Sequence, residues 1–197
     1  NKFKEYLHAW EGCTSLSEDG TMYKIEVDGG GNPTVGYGID INANKQTIEA
    51  AGYSTNTGDY IPKDFVDALE SEIITRNIEI VKAKTASLNL TQYQIYALVS
   101  RTYNCGESGA FGVRNGKTFV QAYNAYWNQE IDAEYKVEFN IGMYEHSLYT
   151  EYMCKPTTSN GKELTGLIAR RKSEWILFKT GYFDRINEYC SELGGSA

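Results

Sequence analysis

Residues 28–38 read DGGGNPTVGYG, preceded by TMYKIEV at 21–27 and closed by IDI at 39–41. Five glycines in eleven positions admit two readings, a phosphate cradle or a tight turn in a sheet. A Walker loop needs a lysine followed by Ser or Thr, and a dinucleotide loop needs GxGxxG between a strand and a helix. The stretch has neither, which excludes nucleotide binding. The alternating and β-branched residues on both sides predict a β-hairpin or small meander over 20–41. Its glycines then supply positive φ and let backbone approach a neighbour closely.

Working outward, Phe3, Tyr6, Leu7 and Trp10 recur at helical spacing and predict a short amphipathic helix over 2–11, stopped by Gly12. A short helix follows at 43–51, ending near Gly52. Pro62 opens a long one whose apolar face is Phe65, Val66, Leu69, Ile73, Ile74, Ile78 and Val81, running to about residue 84. Residues 91–104 are apolar enough for a central buried helix, with Thr91 or Asn89 as its cap. Helices are also expected at 117–130, 133–152, 165–179 and 184–192, each bounded by Gly, Asn, Pro or Ser. The expected fold is α+β and mainly α: one domain, with a β-containing N-terminal lobe over 1–60, a larger all-helical lobe over 61–197 and a cleft between them.

A net charge of −7 argues against nucleic acid as the main partner. The one basic cluster, Arg170, Arg171 and Lys172, is too small for a phosphate footprint. No run approaches the ~20 apolar residues of a membrane helix, and nothing at the start resembles a signal peptide. No membrane association is expected. The first residue, Asn1, and the ending ELGGSA suggest a processed chain or a domain cut from a longer one. The four cysteines, Cys13, Cys105, Cys154 and Cys190, contain no CxxC pair, so no metal site is expected, and free thiols or a disulfide are both open. His8 and His146 have no evident metal partners, and no cofactor is expected. Sixteen tyrosines and three tryptophans supply amphipathic rings suited to packing or to stacking against sugars.

Glu11 ends the first helix beside Trp10, while Asp28 and Thr34 flank the glycine-rich turn. A carboxyl against an apolar helix end can hold a proton, and one in a solvated turn stays ionised. Glycosidic cleavage uses such a pair, one group protonating the leaving oxygen and the other activating water or stabilising charge on the sugar. The Thr34 hydroxyl could hold that water.

The segments EG at 11–12, Tyr23, Asp28 and TVGYG at 34–38 resemble the active-site region of the phage-type lysozymes, glycoside hydrolase family 24. LTQYQIYALVSRTYNCG at 90–106 is similar to that family's central helix, and TGLIARRKSEWILF at 165–178 to its C-terminal Gly-Leu-x-x-Arg-Arg helix. The resemblance implies a muramidase cleaving the β-1,4 bond between N-acetylmuramic acid and N-acetylglucosamine in peptidoglycan. By the same carry-over, Glu11 is the general acid, Asp28 the second carboxylate and Thr34 the water-positioning group. In the inverting form of this chemistry the carboxyl groups stand about 6.5–9.5 Å apart. Tyr23, Tyr37 and Asn104 are the substrate-binding candidates. Asn104 is alternatively a cap for the central helix, and Arg170 and Arg171 are expected to make interlobe hydrogen bonds.

The chain departs from the family pattern in three places. The insert CTSLSEDG lengthens the Glu11–Asp28 interval and makes Asp19 and Glu26 rival carboxylates, although only Asp28 keeps the family interval to Thr34. Ile39 stands where many members have a histidine. The acidic charge would slow encounter with anionic wall polymers, which a phage tail protein or delivered toxin, placed at the wall by a larger assembly, would tolerate. The partner expected is therefore the peptidoglycan glycan strand, met at the bacterial wall by a monomeric domain. Two other readings stay open: a lytic transglycosylase using Glu11 alone, and a non-catalytic peptidoglycan-binding domain.

Overall fold

The computed structural model describes residues 2–127, 146–159 and 162–184. Parts of the helices expected at 117–130 and 133–152, and nearly all of that at 184–192, lie outside the described residues. The protein is mostly helical with small antiparallel sheets, and it divides into two compact units, Phe3–Thr75 and the chain from Arg76 onward.

In the first unit, α1 spans Lys2–Glu11 and buries Phe3, Tyr6 and Leu7. Gly12 stops it at φ +67°, its amide bonded to the His8 carbonyl at 3.2 Å. The chain then extends and turns back on itself: Ser17 and Lys24 amides bond to the Met22 and Ser15 carbonyls at 2.9 and 2.8 Å. This places CTSLSEDG as a hairpin leading into β1 (Met22–Lys24). Strands β2 (Glu26–Val27), β3 (Pro33–Val35) and β4 (Ile39–Asp40) form the expected antiparallel meander, with Glu26 opposite Thr34 and Thr34 opposite Asp40. Asp40 caps α2 (Ile41–Ala50), accepting from the Ala43 amide at 3.0 Å.

The structure adds a strand the sequence does not announce. Tyr60–Pro62 forms β5, antiparallel to β1, and α3 begins one residue later, spanning Lys63–Lys84. Pro62 is thus the last strand residue rather than the first helical one. Ile25, Val35, Ile39, Ile41, Ile48, Ile61, Val66 and Leu69 close the core around Tyr23. Ile39, at the position of the family's histidine, is an apolar member of that core.

In the second unit, α4 (Gln92–Phe111) starts with a capping box in which Thr91 accepts from the Gln94 amide and Gln94 returns a bond to Thr91. The helix breaks direction at Gly106, whose φ of 67° and ψ of 175° are non-helical, and resumes to Phe111. A short α5 (Phe119–Ala122) runs into a π-helical turn at Tyr123–Trp127, and a second π-helical turn covers Tyr149–Met153. An unforeseen two-stranded hairpin, β6 (Thr158–Ser159) and β7 (Lys162–Glu163), precedes α6 (Thr165–Thr180). Rings of Phe119, Tyr123, Tyr152, Trp175 and Phe178 pack edge and face at centroid distances of 5.5–6.4 Å. Such ring pairs add about 0.5–1.5 kcal/mol each beyond area burial. Among the described residues Cys13, Cys105 and Cys154 are free thiols; Cys190 lies outside them.

Candidate active site

The glycines of TVGYG have separate steric reasons. Gly36 (φ +60°) leaves no room for a Cβ, which would lie 2.7 Å from Val66 Cγ1. Its amide and carbonyl are both tied to Thr14, at 2.9 Å to Oγ1 and 3.0 Å from the amide. Gly38 (φ +73°) faces Glu11 instead: a Cβ there would stand 2.9 Å from Glu11 Oε2. The sheet turn therefore presents bare backbone to the carboxyl at the end of α1. We expect Gly38→Ala to destabilise the protein by about 1–3 kcal/mol from positive-φ strain and crowding. Unfolding curves of the variant and the parent check this directly.

Asp28 sits at the exposed start of the β2–β3 turn. Its Oδ1 accepts from the Gly30 and Asn32 amides, each at 2.8 Å, and Asn32 Nδ2 lies 3.5 Å from Oδ2. Chiefly the Asn32 amide, with Gly30 and the Asn32 side chain adding to it, holds its carboxyl below the ordinary value. Asp28 is thus ionised at neutral pH, as a solvated turn predicts. Thr34 is buried on β3, its hydroxyl donating to the Glu26 carbonyl at 3.4 Å.

The rival carboxylates, like Asp28, are engaged by nearby turn groups. Asp19 Oδ1 accepts from Ser17 Oγ at 2.6 Å and from the Thr21 amide and hydroxyl at 3.1 and 2.8 Å. Ser17 first, then Thr21, pulls its pKa down to about 2. Glu26 accepts from the Ser15 amide at 3.3 Å. Both aspartate turns carry the same acid dependence. Depressed folded-state pKa values mean that the turn bonds stabilise fully above the ordinary carboxylate range and are lost as pH falls through the folded values, down to about 2 for Asp19. Amide exchange at Gly30, Asn32 and Thr21 should accelerate over that acid window, and Asp28→Ala should remove the effect at Gly30 and Asn32 alone.

Tyr23 is 2% exposed, its ring inside the core. Tyr37 is half-buried and meets Tyr23 edge-on at 6.3 Å. Burial, foremost, raises both phenols, Tyr23 to about 12. A feature the sequence reading missed lies beside them: the His8 ring stacks on Tyr37 with centroids 3.4 Å apart. His8 Nε2 also lies 2.7 Å from Glu70 Oε1. The available signal was position, since His8 precedes Glu11 by one helical turn.

Asn104 does not cap a helix end. Its Oδ1 accepts from Arg171 Nη2 at 2.7 Å, two residues before the break in α4 at Gly106. The arginines likewise bond inside the second unit: Arg170 Nη2 donates to the Ser100 carbonyl at 3.2 Å, and both guanidiniums pair with Glu174 at 3.1–3.2 Å. Among the described residues, no group of His, Cys, Asp and Glu is placed to hold a metal, and no helix is long and apolar enough to cross a membrane.

The family model described as phage lysozyme matches residues 10–174. The chain belongs to the phage lysozyme family. It is a lysozyme-type, peptidoglycan-directed protein acting at the bacterial cell wall. Its fold is similar to that of the endolysin from Escherichia coli O157:H7 phage FAHEc1, with a TM-score of 0.60 at 22% identity, covering 92% of this chain and 93% of that one. It is also similar to the muramidase domain of SpmX from Asticaccaulis excentricus, with a TM-score of 0.53 at 23% identity, covering 90% and 95%. Comparison with curated proteins returns no match. Within this lysozyme, the match takes in Glu11, Asp28, Thr34 and the Arg170–Glu174 helix.

Proposed function

We propose that this lysozyme is a muramidase that hydrolyses the β-1,4 bond between N-acetylmuramic acid and N-acetylglucosamine. Glu11 is the general acid that protonates the glycosidic oxygen. Asp28, ionised in its turn, and Thr34 position the attacking water. The observation that carries the reading is the approach of the Gly38 backbone to the Glu11 carboxyl, which joins the helix-end acid to the segment bearing Asp28 and Thr34. No cofactor enters this chemistry. The net charge of −7 suits a catalytic domain brought to the wall within a phage tail or a secreted assembly.

One observation favours a second reading. Asp28 Oδ1 is already engaged by two amides of its own turn, as a lytic transglycosylase relying on Glu11 alone would permit. Digestion of purified peptidoglycan, with fragments sized and sequenced by mass spectrometry, tests the proposal. New reducing N-acetylmuramic ends support the muramidase, and 1,6-anhydro ends support the transglycosylase. Tight wall binding without any fragment would make the chain a binding domain.

A further inference from the structure

Three elements meet at one imidazole beside Glu11. His8 lies on the same α1 helix, its ring flat against Tyr37, centroids 3.4 Å apart and planes within 2°. Its Nε2 is 2.7 Å from Glu70 Oε1 on α3, and Lys4 Nζ is 2.7 Å from Glu70 Oε2. Glu70 is 2% exposed, so its carboxylate depends on these two bases from one face of α1. Tyr37 is followed directly by Gly38, whose backbone bounds the Glu11 carboxyl. Burial of Phe3, Tyr6 and Leu7 already anchors α1, and Thr14 already ties down Gly36. The stack adds a tie at the point where the acid is placed.

We propose that His8 is a positioning residue for Glu11: gripped by Glu70, its ring holds Tyr37 and through it the Gly38 backbone against the Glu11 carboxyl. The inference rests on the reading of Glu11 as the general acid. Holding a catalytic group within a fraction of an ångström matters because a misplacement of about 1 Å can cost on the order of 10²-fold in rate. The role acts on turnover rather than on affinity, since His8 touches the acid's support and not the acid itself.

The test is steady-state kinetics on a soluble peptidoglycan glycan fragment, with unfolding curves for every variant. His8→Gln keeps a donor for Glu70 and loses the ring; His8→Phe keeps the ring and loses the donor. His8→Gln and His8→Ala should lower kcat on the order of 10- to 100-fold with KM changed less than about twofold. His8→Phe should recover part of the lost kcat. A folded His8→Gln with wild-type kcat overturns the proposal, as does a loss confined to KM or one matching the lost folded fraction. If His8→Ala does not fold, the other two variants decide. Glu11→Gln run alongside separates the two levels. An inactive Glu11→Gln with unaffected His8 variants overturns the positioning role alone, whereas an active Glu11→Gln overturns the acid assignment and this inference with it.

Discussion

Glu11→Gln is expected to lower peptidoglycan cleavage by at least about 10²- to 10⁴-fold, the range over which a positioned general acid contributes. The amide matches the carboxyl in shape, so the contact with Gly38 and the fold should persist. What it lacks is an acidic proton for the leaving oxygen, and an unprotonated sugar alkoxide is a poor leaving group. Glu11 is half-buried at the end of α1, so unfolding curves on the same samples separate any change in stability from the lost chemistry. Wall binding by the variant should survive. Turbidity loss of a wall suspension, set beside co-sedimentation of the variant with walls, reads both consequences. Retained cleavage would remove Glu11 from the acid role.

The largest expected loss of stability belongs to Glu174→Ala. Glu174, Arg170 and Arg171 are all 3% exposed or less. Arg170 Nε lies 3.2 Å from Glu174 Oε1 and Arg171 Nε 3.1 Å from Oε2. Ser100 Oγ donates to the same carboxylate at 3.0 Å. Removing the carboxylate takes away the counter-charge that two buried guanidiniums share, and breaking a buried pair this way costs about 3–5 kcal/mol. Arg101 sharpens the effect. It is fully buried nearby, its guanidinium donating to the Tyr152, Met153 and Lys155 carbonyls, and burial lowers its pKa to about 10, with the Arg171 charge adding to the shift. It still carries its charge at neutral pH. Against a typical total stability of about 5–15 kcal/mol, Glu174→Ala should unfold at far lower denaturant, whereas Glu174→Gln, which keeps the oxygen acceptor, should lose less. Equal midpoints for Glu174→Ala and the parent would contradict the network's role.

Local chemistry makes the meander, α1 with its Gly12 stop, the Thr91 cap and α6 legible in the sequence. The turn at Asp28 was legible too, because aspartate followed by glycines and asparagine specifies its own bonds. What stayed hidden is what depends on distant partners. β5 pairs with β1 across the intervening meander and α2, and nothing in Tyr60–Pro62 marks a strand by itself. The helix expected over 91–104 breaks at Gly106 and then resumes to Phe111. Arg101 lies in a helix that reads as apolar; the carbonyls of Tyr152, Met153 and Lys155 make its burial tolerable. His8 and Glu70 are 62 positions apart, so no spacing rule could have joined them. At the site itself, the resemblance to the family named Glu11, Asp28 and Thr34 as candidates, whereas the steric reason for Gly38 required the folded backbone.

The most direct test of the central claim is digestion of peptidoglycan in ¹⁸O-labelled water with mass spectrometry of the new ends. If Glu11 protonates the leaving oxygen while water attacks beside Asp28 and Thr34, each new N-acetylmuramic end carries one ¹⁸O, and both Glu11→Gln and Asp28→Asn abolish its appearance. Unlabelled 1,6-anhydro ends that persist in Asp28→Asn would contradict the account, because the sugar's own hydroxyl would then be the nucleophile.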